Sequence, residues 1–171
     1  ADGLRALSDG TGTAYDRLRA FGLHPDNLPA ERIRPEAVRA FLEVHIEQNA
    51  VLEETGHELG IVTAISGMRL HRITYRGHSD HAASPMRGRR DPVAGFAELA
   101  SRMERLWKDG GLPEDFSCTV GELACSPNVG IVVPESVTFT IDIRHVDVPV
   151  LEEGWKRIEA LVRSVAESRG L

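Results

Sequence analysis

The chain has 171 residues, 42% of them apolar and 27% charged, a balance that gives an ordinary protein enough apolar material for a core. That length fits one domain, or one domain with part of another. The formal net charge of −6 argues against a nucleic-acid surface and weakly against an anionic membrane, and no apolar run reaches the roughly 20 residues of a spanning helix.

Residues 1–40 read as polar, loosely helical surface. Asp9-Gly10-Thr11-Gly12 is loop chemistry, and Thr13 is placed to cap a helix carrying Ala14, Leu18 and Phe21. Gly22 ends that helix, His24-Pro25-Asp26 is a turn, and Pro35 opens a short helix over 36–40. Phe41 to Ile46 alternates as a strand with one buried face. Residues 49–55 read as a helix stopped by Gly56, and Leu59 to Ile65 as a buried β-branched strand. Ser66-Gly67 is a break and the expected domain boundary, dividing the chain into 1–66 and 67–171.

After the break, Met68 to Tyr75 alternates as a strand and 78–90 is a polar loop. Residues 91–107 form an amphipathic helix with Val93, Phe96, Leu99, Met103 and Leu106 on one stripe. Gly110 to Pro113 is a turn, and 117–123 and 137–143 are strands, the second with Phe139, Ile141 and Ile143 facing one way. Residues 149–168 form a second amphipathic helix with Leu151, Trp155, Ile158, Leu161, Val162 and Val165. The order is βαββα, which one more strand would complete as a ferredoxin-like sandwich. Cys118 and Cys125 read as two reduced thiols of a cytoplasmic protein, and the N-terminus has no signal-peptide pattern.

Three places hold candidate chemistry. A strand histidine beside carboxylates, His45, suits a metal ligand, or a buried histidine satisfied by a neighbour. His78 and His81, in a small-residue loop after a strand, suit donation to a developing oxyanion, or a plain solvated loop. Arg144, at a strand end, suits a bidentate grip on a carboxylate, or a surface ion pair with Asp142 or Asp147. The basic run Arg87-Gly88-Arg89-Arg90 reads as a solvated helix entry.

Taken in order, Phe41-Leu42-Glu43-Val44-His45-Ile46-Glu47-Gln48, Val51-Leu52-Glu53 and Gly60-Ile61-Val62-Thr63-Ala64-Ile65 form a series. Gly77 with His81-Ala82, Pro85-Met86, Arg90-Asp91, Ser126-Pro127-Asn128 and Val137 to His145 continue it. The series resembles the N-carbamoyl-L-amino acid hydrolase / allantoate amidohydrolase / β-ureidopropionase family. These are dinuclear-metal amidohydrolases of the aminoacylase and carboxypeptidase clan. The resemblance implies an α+β and α/β architecture. Residues 1–66 would end the first segment of an α/β catalytic domain, and 67–171 would be most of a ferredoxin-like lid that makes a homodimer contact. It implies that His45 is a metal ligand, Gln48 and Arg144 contact substrate, and His81 steadies the oxyanion in a neighbouring subunit's site. Two divalent ions (Zn, Mn, Co or Ni) belong to the full-length enzyme, with none held tightly by this chain. The implied reaction is hydrolysis of the carbamoyl C–N bond of a small N-carbamoyl or ureido acid, with this chain alone inactive and with no nucleic-acid or membrane partner. Asn49 stands where the family has glycine, the loop after His81 is about one residue short, and Ile131 stands at a substrate-binding asparagine. An aminoacylase or dipeptidase of the same clan, and a non-catalytic dimerisation or binding module, are the alternatives.

Overall fold

The computed structural model describes residues 2–30 and 33–171. They divide into two compact units, Ala1–Gly60 and Ile61–Leu171.

In the first unit, α1 spans Asp2–Ala6 and α2 spans Ala14–Ala20. Thr13 caps α2 as expected: its hydroxyl accepts from the Asp16 amide while the Asp16 carboxylate accepts from the Thr13 amide. Tyr15 is the buried anchor, its hydroxyl donating to Asp26 at 2.5 Å and its ring lying under the Arg5 guanidinium. The helix expected over 36–40 is only a 3₁₀ turn, Pro35–Ala37. A short helix α3, Val51–Thr55, ends where Gly56 takes a left-handed conformation.

Two expected strands are not formed. Residues 41–46 have no regular structure, and Val44 is 98% exposed. Residues 59–65, which run across the division between the units, are equally irregular, with Ile61 94% exposed. A strand is held by the hydrogen bonds and side-chain cover of its neighbours. Neither segment has a neighbouring strand among the described residues.

The second unit carries β1 (Gly67–Arg76), β2 (Asp80–His81), α4 (Pro92–Lys108), β3 (Ser117–Ser126), β4 (Val132–Val133), β5 (Ser136–His145) and α5 (Val148–Arg169). The long elements follow the expected βαββα order. β5 is central, antiparallel to both β1 and β3. Alternation decides what it buries: Val137, Phe139, Ile141 and Ile143 turn toward the helices and are almost wholly inaccessible. Leu99 and Met103 of α4 and Leu151, Ile158 and Val165 of α5 close the core from the other side. Phe96, Leu106, Trp155, Leu161 and Val162 pack around it, while Val93, in the first turn of α4, stays exposed.

Both helices start at an aspartate, Asp91 and Asp147, each with a proline in the first turn. β3 runs past its expected end through a bulge between Val120 and Leu123, where the Thr140 hydroxyl accepts from the Glu122 amide. The loop over 78–90 is also more ordered than its composition suggests, because β2 pairs with β4 in a small second ladder.

Candidate active-site residues

His45 and Gln48 belong to the first unit, His81 and Arg144 to the second. His45 is exposed, and its Nδ1–H donates to the Ile46 carbonyl at 2.5 Å. That bond places the ring proton on Nδ1 and leaves the Nε2 lone pair outward, the state in which imidazole takes a metal. The neighbouring carboxylate is otherwise engaged: Glu47 accepts from the amides of Val51 and Leu52 at 3.0 and 2.9 Å and so caps α3. Gln48, where the chain turns into that helix, has a left-handed backbone at φ 59°. Among the described residues no three His, Cys, Asp or Glu side chains are grouped as a metal ion needs. His45 therefore fits as one ligand, and the chain's own donors do not assemble a centre around it.

His81 is better placed than its loop composition suggested. Its residue is paired to Val132 in the small ladder, and the next amide, Ala82, donates to the Ile131 carbonyl at 2.9 Å. The Ala83 amide donates to His81 Nδ1 at 3.0 Å. Nδ1 is thus an acceptor, and in the neutral ring the proton lies on Nε2, at the exposed end, ready to be donated. Asp80 braces the same turn, accepting from the His81 amide at 2.8 Å and the Ser84 hydroxyl at 2.6 Å. These bonds, the Ser84 hydroxyl first, hold its carboxyl below the ordinary range. Arg89 ties the far side of the loop, donating to the carbonyls of Ala82 and Ser84.

The loop is closed at its base by a contact that only glycine permits. Gly77 donates to the Glu135 carbonyl at 2.7 Å and His78 to the Arg90 carbonyl at 2.9 Å. A Cβ on Gly77 would lie 1.9 Å from the Arg90 carbonyl oxygen. From sequence, Gly77 stands only as a member of the series that carries the resemblance, and Asp80 and Arg89 are given no functional role. Only the Asp80–Ser84 spacing gave a local signal, and the others depend on contacts across the loop.

Arg144 lies next to last in β5, between Met68 and Ser117 of the flanking strands. Ile143 points into the core, so Arg144 points to the open face of the sheet. Asp142 lies on the same face and grips it twice, Nε to Oδ1 at 2.9 Å and Nη2 to Oδ2 at 3.1 Å. The ion pair weighed from sequence is therefore formed, and it raises the guanidinium's pKa further. It engages two of the five N–H groups and leaves the Nη1 end without a partner among the described residues, open to another carboxylate. The adjacent His145 faces inward and is structural: its Nδ1 accepts from the Asp147 amide at 2.9 Å and its Nε2 meets Asp115 at 3.2 Å.

Known proteins resemble this chain along nearly all of it. An N-carbamoyl-L-amino acid amidohydrolase of Geobacillus stearothermophilus is 37% identical over 157 residues, covering 91% of this chain and 38% of that protein. An allantoate amidohydrolase of Escherichia coli strain K12 is 36% identical over 169 residues, covering 97% of this chain and 40% of that protein. The crystal structure of a hydantoinase/carbamoylase family amidase from Burkholderia ambifaria superposes with a TM-score of 0.80 at 28% identity, covering 99% of this chain and 40% of that one. The chain thus spans about two fifths of the length of the relatives it matches. No family model matches it.

Proposed function

We propose, for a chain that belongs by sequence to the family of N-carbamoyl-L-amino acid and allantoate amidohydrolases, that the whole protein hydrolyses the carbamoyl C–N bond of a small N-carbamoyl or ureido acid. The observation that carries this is similarity covering 91% and 97% of the chain, far more than one shared motif would give. The reaction adds water to the carbamoyl carbon, breaks its bond to the substituted nitrogen and releases the amine; the carbamate left behind falls to ammonia and carbon dioxide.

In this reading His45 is one ligand of a two-metal centre completed by residues other than these. The bound divalent ions would supply hydroxide near neutral pH. Gln48 contacts the substrate. His81 donates Nε2–H to the oxygen that gains charge as the carbonyl carbon becomes tetrahedral. Arg144 takes the substrate carboxylate on its free Nη1 edge while Asp142 holds the other edge. The braced loop supports this division of labour, because a donor fixed before reaction need not be ordered during it. Residues 67–171 act as a lid and dimer contact, and the protein works in the cytoplasm. Among the described residues no helix is long and apolar enough to cross a membrane.

The test is ammonia release by the complete protein from N-carbamoyl amino acids and allantoate, with and without a chelator. Acetate release from N-acetyl amino acids, without ammonia from either ureido substrate, would replace this reading with an aminoacylase. His45→Ala should lower the metal bound per protein, and unchanged stoichiometry would remove the ligand assignment. Sedimentation of the chain should show self-association, and a strict monomer would remove the dimer.

A further inference from the structure

The basic run 87–90 has no part in the chemistry above, and its surroundings make it more than a solvated helix entry. An open depression of about 600 Å³ is lined by Arg89 and Arg90 of the loop, Glu98 and Arg102 of α4, and Arg169 at the end of α5. Four guanidinium groups face one carboxylate, leaving three positive charges in a chain of formal net charge −6. Glu98 is shared between Arg102 and Arg169. Arg89 spends its Nη2 on two carbonyls, which carry no net charge, and its buried Nε has no partner among the described residues. Arg90 lays its aliphatic stem over Gly170, and its guanidinium makes no hydrogen bond or ion pair among the described residues.

Like charges gathered this closely repel, and a buried N–H without an acceptor is costly. The repulsion is relieved by a compact ligand with two or more negative charges and several acceptor oxygens. A single carboxylate would leave most of the charge uncovered, whereas a phosphate group offers the charge and the geometry guanidinium forks recognise. We propose that the depression between residues 88–90, the middle of α4 and the C-terminal end of α5 is a binding site for a phosphate group. The ligand is either free phosphate or the phosphate of a monoester, for which the open side leaves room.

Isothermal titration of the 171-residue chain with inorganic phosphate and with phenyl phosphate, against chloride at matched ionic strength, tests this. Saturable binding of phosphate, not chloride, is expected at one site. Tighter binding of phenyl phosphate would mark a monoester as the ligand, and equal binding free phosphate. Arg90→Gln loses no hydrogen bond or ion pair among the described residues, and Arg102→Gln leaves Glu98 held by Arg169, so both variants should keep the fold. Each should weaken binding about tenfold, the weight of one charge-assisted hydrogen bond. Arg163→Gln, which removes the same charge from the exposed side of α5, should leave it unchanged. The proposal is overturned if neither phosphate binds beyond chloride, if R90Q and R102Q bind as the parent does, or if R163Q weakens binding as much as they do.

Discussion

Replacing Gly77 by alanine isolates the contact that closes the His81 loop. The added Cβ would meet the Arg90 carbonyl oxygen at 1.9 Å, the Pro92 ring at 2.7 Å and the Arg90 carbonyl carbon at 2.9 Å. Two of these are backbone and the third is a ring, so no flexible side chain can swing away. The two loop segments must part, and with them go the Gly77–Glu135 and His78–Arg90 hydrogen bonds. Two backbone bonds are worth about 1–3 kcal/mol, and the alanine recovers at most about 1 kcal/mol by restricting the unfolded chain. Residual steric strain adds to the loss, so a net destabilisation of about 2 kcal/mol is expected. Both tryptophans, Trp107 and Trp155, lie in the second unit, so tryptophan fluorescence during urea unfolding reports that unit alone. Gly130→Ala is the internal control, because a Cβ there has nothing within 4 Å, and it should stay within about 0.5 kcal/mol of the parent. An unfolding midpoint for G77A equal to that of G130A would refute the steric account of the loop base.

Phe139, wholly buried at the centre of β5, should cost about 3–5 kcal/mol when cut to alanine, measured in the same urea titration. Burial pushes the Tyr75 phenol up to about 12. Its folded pKa exceeds its unfolded value, so the stability it contributes is complete below about pH 10 and is lost as pH rises toward 12. The alkaline fall in unfolding free energy should therefore be shallower in Tyr75→Phe, and equal slopes would exclude this phenol as its source. Burial likewise raises the Cys118 thiol to about 11, so at pH 8 it should alkylate far more slowly than a free thiol; peptide mapping that finds it modified within minutes would contradict this. On the proposed role of Arg144 in holding the substrate carboxylate, Asp142→Asn in the complete protein should raise KM more than it lowers kcat. A fall in kcat at constant KM would place Asp142 in the chemical step.

The second unit was legible because its periodicities close on one another within the chain. The alternation of Val137, Phe139, Ile141 and Ile143 meets the stripes of Leu99 and Met103 and of Leu151, Ile158 and Val165, so each pattern finds the cover it implies. The loop carrying His81 was not legible in the same way. Asp80, Ser84, Arg89 and Gly77 follow no period, and their meaning comes from hydrogen bonds to turn carbonyls and from a backbone approach that composition does not encode. Arg144 shows the intermediate case: strand alternation put it on the open face, but only geometry shows which edge of its guanidinium Asp142 leaves free.

The segments around His45 obey the same rule from the other side. Phe41, Leu42, Val44, Ile46, Leu59, Ile61, Val62 and Ile65 carry a strand's pattern and are all exposed. Burying a side chain of this size is worth about 1.5–3 kcal/mol. These eight therefore hold back roughly 12 kcal/mol or more, comparable to the roughly 5–15 kcal/mol that stabilises a whole domain. A sequence does not place that much apolar surface in two β-patterned runs unless something covers it. Alternation thus reports the environment a segment is built for, while the strand itself forms only when a neighbour supplies hydrogen bonds and cover. In the proposed enzyme, the same cover that turns these runs into strands would bring the other metal ligands to the outward Nε2 of His45.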